Sequence, residues 1–290
     1  MRHRVRIFSW MLLAMFVAGL VSCTTVDAER LAGFPLSEEP LTGKFVWHDL
    51  ITDDVAVARR FYAGLFGWEF DQTSGPNGGD YTLIRMDGRV VAGMVHLDDP
   101  QGVEYSRWLG YLSVADVDRA ADFTRSKGGE VAVGPLELGD IGRAAAIVDP
   151  QGGVVGLVRS RHGDPDDTIL RGVGEIVWNE LLASDDLAAV DFYERLAGLE
   201  KKDDVRPAGT YRVMHSQGQK RAGIMQRPSE EMDPMWLTHF GVENVQAASE
   251  KAAELGGTVL LAPSEDVRDG LLALVRDPSG AVLALHQWTE

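Results

Sequence analysis

Residues 47–68 read WHDLITDDVAVARRFYAGLFGW, and residues 178–199 read WNELLASDDLAAVDFYERLAGL. The two stretches align without a gap, so equivalent residues are 131 positions apart. A repeat of fixed spacing indicates that one structural unit has been duplicated. Because a chain of 290 residues has room for about two domains, we expect one fold to occur twice.

Hydrophobic periodicity predicts the order of elements within a copy. Residues 44–51 form a run of aromatic and branched side chains that favours a strand. Asp54 offers a helix cap, and apolar residues then recur every three or four positions up to Gly67, which predicts an amphipathic helix. Three strands follow, and the same order returns in weaker form. One copy therefore reads as two successive βαβββ modules.

Both copies also carry Phe-Tyr in the first helix, a Gly-Trp or Gly-Leu after it, and a terminal Asp-Pro-x-Gly turn. This combination resembles the vicinal oxygen chelate superfamily, which includes glyoxalase I, extradiol dioxygenases and bleomycin-resistance proteins. The resemblance covers about residues 43–160 and 173–290. It implies an α+β fold of two tandem domains, each with paired βαβββ modules that form a curled mixed sheet around a cleft. Because this fold hosts many reactions and some pure binders, it does not select a function.

The N-terminus predicts a lipoprotein signal peptide. Basic residues precede an apolar run of about 15 residues at 7–21, which is too short for a membrane span. The run ends just before Cys23, the only cysteine of the chain, in an arrangement that resembles the bacterial lipobox. We therefore expect residues 1–22 to be removed, Cys23 to be lipidated and residues 23–42 to form a tether. An ordinary secretory signal is the alternative.

These features predict where the protein resides and which partners it meets. Acyl chains on Cys23 would anchor it in the bacterial cell envelope. Thr24 follows the cysteine, which resembles the pattern of lipoproteins that reach the outer membrane and face the periplasm. Residues 161–172 are polar and Asp-rich, and we expect them to link domain 1 (43–160) to domain 2 (173–290). The net charge of −16 argues against nucleic acid as a partner.

The superfamily's reactions usually need a divalent metal held by His or carboxylate side chains on the strands around the cleft. The resemblance assigns those positions to residues without a ligand atom. They are Trp47, Gly93, Leu109 and Gly156 in the first copy, and Trp178, Gly223, Leu237 and Ala284 in the second. We therefore predict no metal cofactor.

A displaced metal site is the alternative, because strand side chains alternate and a shift of two residues stays on the same face. In the second copy this shift reaches Glu180, His239 and His286, a composition typical of Fe(II) sites. In the first copy it reaches Asp49 and Tyr111, which supply one carboxylate. A divalent metal held by the first set would make the protein a glyoxalase- or dioxygenase-like enzyme.

The predicted ligand-binding residues are aromatic or amphipathic, and they are Trp47, Asp49, Tyr111, Trp178, Glu180, His239 and His286. Indole rings offer a flat apolar surface for stacking, and nearby carboxylates fix charge. We therefore expect the protein to bind a small aromatic or cationic molecule without a metal, as bleomycin-resistance proteins do. Two alternatives stay open: the tryptophans fill a collapsed cleft, or the sheets form an assembly module in the envelope. The sequence leaves the oligomeric state undetermined.

Overall fold

The computed structural model describes residues 35–75, 79–97, 106–169, 171–206 and 209–288. The predicted signal peptide, Cys23 and the tether up to residue 34 lie outside these ranges. Within them, no helix is both long enough and apolar enough to cross a membrane.

The first copy forms one eight-stranded mixed sheet with two helices. Its strands are β1 (Phe45–Thr52), β2 (Glu69–Ser74), β3 (Asp80–Met86), β4 (Arg89–His96), β5 (Arg107–Ser113), β6 (Glu130–Glu137), β7 (Gly142–Val148) and β8 (Val154–Ser160). Its helices are α1 (Val55–Phe66) and α2 (Val117–Ser126). The strand order is β2-β3-β4-β1-β5-β8-β7-β6, in which β1 runs parallel to β4 and β5 runs parallel to β8.

The second copy repeats this arrangement. Its strands are β9 (Ile176–Ala183), β10 (Glu200–Arg206), β11 (Gly209–Ser216), β12 (Gln219–Gln226), β13 (Met235–Val242), β14 (Thr258–Leu261), β15 (Leu272–Arg276) and β16 (Val282–Gln287). Its helices are α3 (Asp186–Ala197) and α4 (Val245–Glu254), and a short 3₁₀ turn spans Arg268–Gly270. The strand order β10-β11-β12-β9-β13-β16-β15-β14 matches that of the first copy. The predicted α+β fold of two tandem domains, each with paired modules, is confirmed.

Strand β10 was implied by the duplication, but the residues that form it were not predicted. Its residues, EKKDDVR, pair in antiparallel register with β11 at the edge of the sheet. The strand buries little side-chain surface, so it lacks the apolar alternation by which strands are recognised. Charged side chains are a common feature of edge strands because they discourage pairing with other chains.

The four helices begin at the capping residues that the sequence favours. Asp54, Asp116, Asp185 and Asn244 each accept a hydrogen bond from the backbone N–H three residues on. This bond satisfies one of the N–H groups that a helix leaves unpaired at its start. Gly67, with φ of 73°, ends α1 in the left-handed conformation that glycine adopts at least cost.

The two largest hydrophobic cores among the described residues lie between the sheets, and each contains residues of both copies. The first core joins Phe61 and Trp108 of copy one to Phe240 and Leu283 of copy two. The second core joins residues of β5, α2, β7 and β8 to residues of β9, α3, β11 and β12. Helix α1 accordingly contacts α4, and α2 contacts α3. The sheets therefore pack through their helix-bearing faces.

The two sequence signatures, Phe-Tyr and Asp-Pro-x-Gly, meet across this interface. The Tyr62 hydroxyl of copy one donates a 2.9 Å hydrogen bond to Asp277 of copy two. The Tyr193 hydroxyl of copy two donates an equal bond to Asp149 of copy one. The reciprocal bonds show that a local two-fold relation connects the copies.

The last part of the predicted tether is packed against the predicted linker. Leu36 forms a β-bridge with Pro165, and the backbone N–H of Leu41 donates to the Asp164 carboxylate at 2.7 Å. Asp164 is fully buried and also accepts from the Ser113 hydroxyl at 2.7 Å. From residue 35 onwards the chain is therefore held on domain 1.

Candidate functional site

The predicted cleft residues lie on the sheet faces that point away from the two cores. In β1, Leu50 packs in the first core, so its neighbour Asp49 points to the opposite face. In β9, Leu181 packs in the second core, so Glu180 points away from it. We name these faces by the side chains at their centres. Cup 1 comprises Trp47, Asp49, Tyr81 and Tyr111, and cup 2 comprises Trp178, Glu180, Tyr211, His239, Arg268 and His286.

Strand register brings the predicted residues of cup 1 together. On β1, Asp49 is opposite Gly93 of β4. On β5, Tyr111 is opposite Trp47 on one side and Gly156 on the other. Cup 2 has the same geometry, with Glu180 opposite Gly223, and His239 between Trp178 and Ala284.

Asp49 is the centre of a closed hydrogen-bond network in cup 1. Its Oδ1 accepts from the Trp47 indole N–H at 2.9 Å and from the Tyr81 hydroxyl at 2.6 Å, and it is also hydrogen-bonded to Tyr111. Burial raises the pKa of Asp49, and these bonds oppose that rise. The protein itself therefore occupies the acceptor sites of this carboxylate. Sequence reasoning missed Tyr81, which reaches the cup from β3.

Glycine at two family metal positions makes room for this network. A Cβ atom on Gly93 would lie 1.7 Å from the Tyr81 hydroxyl, and one on Gly156 would lie 2.3 Å from the Tyr111 ring. Real Cβ atoms essentially never approach so closely. Cup 1 therefore has no ligand side chain at these two positions, and tyrosines fill the space.

Cup 2 contains a buried ion pair that the sequence did not reveal. Glu180 is 2% exposed and pairs with the Arg268 guanidinium, which lies 4.8 Å from the Tyr211 ring centroid. Burial acts to lower the pKa of Arg268, but the charge of Glu180 and the phenol of Tyr211 raise it overall. The arginine is therefore charged. Arg268 belongs to the loop 262–271, which is longer than the equivalent loop 138–141 of the first copy. This difference in loop length was the sequence signal that pointed to an additional side chain in cup 2.

Two imidazole rings complete cup 2, and they are the least satisfied polar groups in it. The rings of His239 and His286 are 5.7 Å apart. Within the described residues, neither nitrogen of His239 nor Nδ1 of His286 has a hydrogen-bond partner. His239 has no exposed surface, whereas buried polar atoms usually have partners. A ligand that enters cup 2 would therefore meet three unpaired polar atoms.

Both rings are held in the neutral form. Burial, with the positive charge of Arg268 and the neighbouring His286, lowers the pKa of His239 well below its usual range. Burial and Arg268 also lower the pKa of His286. A neutral imidazole has one N–H donor and one acceptor nitrogen, so the pair can recognise hydroxyl and carbonyl oxygens.

The wall of cup 2 is apolar. Leu182, Leu237, Leu272, Leu274 and Ala284 form a cluster on this face, against which Met225, Met232 and Met235 pack while staying partly accessible. Methionine side chains adapt to irregular ligands because they are unbranched and polarizable. An apolar wall with a few convergent polar groups is typical of small-molecule sites.

The side chains present do not fit the superfamily's divalent metal. In the displaced set, Glu180 is engaged by Arg268, whose positive charge opposes a nearby cation. Across the ranges that the structure describes, no three His, Cys, Asp or Glu side chains are grouped so as to hold a metal ion. The alternative set Glu180, His239 and His286 therefore does not form a metal centre as these residues are arranged.

Comparisons with known proteins agree with this architecture. A family model described as "Glyoxalase/Bleomycin resistance protein/Dioxygenase superfamily" matches residues 44–156 and 175–285. The chain belongs to this superfamily. A member named "Putative glyoxylase CFP32", from Mycobacterium tuberculosis, is 34% identical over 256 residues, which cover 87% of this chain and 97% of the relative. "Anthracycline biosynthesis protein DnrV" from Streptomyces peucetius is 32% identical over 262 residues, covering 86% and 94%.

Solved structures share the fold of this superfamily member at low sequence identity. The Mn(II)-bound glyoxalase from Novosphingobium aromaticivorans aligns with a TM-score of 0.56 at 15% identity, over 86% of this chain and 83% of that one. A variant of homoprotocatechuate 2,3-dioxygenase from B. fuscum in complex with HPCA aligns with a TM-score of 0.57 at 15% identity, over 88% and 74%. These likenesses concern the fold alone.

Proposed function

We propose that the protein binds a flat, oxygen-bearing aromatic molecule in cup 2 without a metal. The observation that carries this proposal is the set of three buried imidazole nitrogens on His239 and His286 without a partner among the described residues. Leaving a buried polar group unpaired costs about 1–3 kcal/mol. A ligand with suitably spaced hydroxyl and carbonyl oxygens would recover this free energy.

The charge of cup 2 favours a neutral ligand over a cationic one. Arg268 neutralises Glu180, so a cation would have to compete with a guanidinium for the carboxylate. The name of the relative DnrV refers to anthracyclines, whose fused rings carry hydroxyl and ketone oxygens. This chemistry matches a planar aromatic ligand next to neutral imidazoles. We infer that cup 1, whose polar groups bond to one another, braces the domain that binds.

Equilibrium dialysis of the detergent-solubilised full-length protein with 1,4-dihydroxyanthraquinone tests the proposal. The variant His239→Phe keeps an aromatic ring but removes both nitrogens, and Tyr111→Phe at the equivalent position of cup 1 is the matched control. We expect saturable binding that weakens at least tenfold, or about 1.4 kcal/mol, in the His239 variant only. Absence of saturable binding, or equal loss in both variants, would overturn the proposal.

The second candidate is a metal-dependent glyoxalase- or dioxygenase-like enzyme, which would need Glu180 to part from Arg268 and to join the two neighbouring neutral imidazoles as a ligand. Elemental analysis of the purified protein separates the candidates. Stoichiometric metal that disappears in the His239→Phe variant would select the enzyme and overturn metal-free binding.

We also propose that the protein is held in the bacterial envelope by lipid on Cys23, facing the periplasm from the outer membrane. The support is the charged start and the apolar run that ends at this cysteine. Labelled palmitate should enter the wild-type protein, and the Cys23→Ser variant should remain unlabelled. Equal labelling of both proteins, or of neither, would overturn this assignment.

A further inference from the structure

A separate cavity of about 230 Å³ lies where the first strands of the two copies begin. Trp47 of copy one and Trp178 of copy two both line it. The indole N–H of Trp47 bonds within cup 1 and that of Trp178 bonds to Tyr211 in cup 2. The cavity thus adjoins both cups and is built by both copies.

The cavity lining carries an excess of positive charge. Its basic side chains are Lys44, Arg171, Lys220 and Arg221, and its acidic side chains are Asp166 and Asp167. Asp167 accepts two hydrogen bonds from Arg221, at 2.6 and 2.9 Å, and pairs with Lys44 at 2.9 Å. Two formal positive charges remain in excess at this place in a chain of net charge −16.

Glu175, whose negative charge stabilises the charged form of Arg171, does not cancel this excess. Glu175 is also paired with Arg89 at 3.0 Å. Including this pair adds one negative and one positive charge, so the balance is unchanged. Burial, with Arg221 and Arg171, lowers the pKa of Lys44, while Asp167 opposes the shift. An anion inside the cavity would relieve the repulsion among these cations.

The apolar lining residues and the volume of the cavity indicate which shape of anion fits. Besides the two tryptophans, the apolar lining residues include Val91, Ile169 and Ile176. A dry apolar cavity of roughly 150 Å³ holds a benzene molecule, so the present volume admits one aromatic ring with a small substituent. Arginine pairs favourably with a carboxylate because its planar donors match the two oxygens.

We propose that this inter-copy cavity is a binding site for a single-ring aromatic carboxylate, distinct from the site in cup 2. The ring lies against the indoles of Trp47 and Trp178, and the carboxylate faces the cluster of Lys44, Arg171 and Lys220.

Calorimetric titration of the full-length protein with benzoate tests this site, with benzamide as the neutral molecule of the same shape. We expect one benzoate per chain, with affinity at least tenfold above that of benzamide and lower at high salt. Lys220→Gln and Arg171→Gln should each weaken benzoate several-fold. Lys202→Gln, on the exposed edge strand β10, is the charge-matched control and should leave binding unchanged.

Three results would overturn the proposal. Equal affinity for benzamide and benzoate would remove the role of charge. Equal weakening by the Lys220 and Lys202 variants would indicate a general charge effect, and equal binding of inorganic phosphate would remove the aromatic requirement. The His239→Phe variant keeps the two proposals apart, because it should weaken binding in cup 2 at least tenfold while the affinity for benzoate stays unchanged.

Discussion

His48 donates a 2.8 Å hydrogen bond from Nε2 to Oδ1 of Asn179, and these two residues occupy the same position in the two copies. Each residue is 6% exposed. Equivalent residues can touch only where the local two-fold axis passes between them. The pair therefore marks that axis, and it shows that the copies have diverged so that a donor meets an acceptor.

This pair makes stability depend on pH. Burial lowers the pKa of His48 to about 4, against about 6.5 for an exposed histidine. The unfolded chain therefore binds more protons between these values, so the stability contributed by His48 is complete above pH 6.5 and lost as pH falls towards 4. Between pH 7 and 4, the free energy of unfolding should fall by about 3 kcal/mol more in wild type than in His48→Asn.

Urea unfolding across this pH range measures the difference. His239 and His286 also have lowered pKa values and lose stability in the same direction, but they are present in both proteins and cancel. Parallel curves for wild type and variant would contradict the prediction.

The reciprocal tyrosine–aspartate bonds should contribute equally to holding the copies together. Tyr62→Phe deprives buried Asp277 of a donor and leaves the Trp108 indole N–H, 2.9 Å from the tyrosine oxygen, without its acceptor. We expect a loss of about 1–3 kcal/mol, and the same loss for Tyr193→Phe. Because the two sites share no partner, the double variant should show the sum. Chemical denaturation measures the free energy of unfolding of each variant. A loss in only one of the two single variants would contradict this symmetry.

Gly156 should not tolerate a methyl group, because of the Tyr111 ring beside it. Gly156→Ala should cost about 1–3 kcal/mol by overpacking. Gly134→Ala, where a Cβ meets nothing within 4 Å, should change stability by less than about 0.5 kcal/mol. Copy two has the pair His239 and Ala284 at the equivalent positions, so adding Tyr111→His should reduce the cost of the alanine. If thermal unfolding shows the same cost for Gly156→Ala with and without Tyr111→His, the tyrosine does not require the glycine.

The ion pair in cup 2 should show strong coupling. Arg268→Met leaves Glu180 buried, with 3% of its side chain exposed, and without a counter-charge. Breaking a buried pair costs about 3–5 kcal/mol, so we expect a loss of about 3 kcal/mol because the arginine is 19% exposed. The double variant with Glu180→Gln should lose less than the sum of the single losses. The control Arg276→Met replaces an exposed arginine and should leave the free energy of unfolding unchanged. Additive losses from Arg268→Met and Glu180→Gln would contradict the coupling.

Much of the fold could be predicted because its signals are local. The Asp54 cap, the Gly67 stop and apolar periodicity predicted the first helix near its observed bounds, Val55–Phe66. Because this stretch is duplicated, the same local signals occur in the second copy. The residues of strand β10 were not predicted because it is an edge strand, where exposure rather than burial selects the side chains.

The candidate sites were predicted only in part because side chains from distant elements complete them. Alternation along β1 and β5 correctly brought Trp47, Asp49 and Tyr111 to one face. Tyr81 and Arg268 arrive from a different strand and from a loop. Arg268 also has a φ of 49°, a conformation that sequence preferences do not indicate for arginine. Periodicity identifies the buried face of an element but does not identify its partner, so the packing of one copy on the other was not predicted.

The shared cores also affect how the two copies can diverge in evolution. A single repeat released from its sibling would expose half of each core to water, and burial is what makes the folded state stable. Severing the segment 161–172 should therefore leave two fragments that stay associated. The covalent join keeps unlike halves at high effective concentration, which frees each half to specialise: one can lose its pocket while the other keeps it.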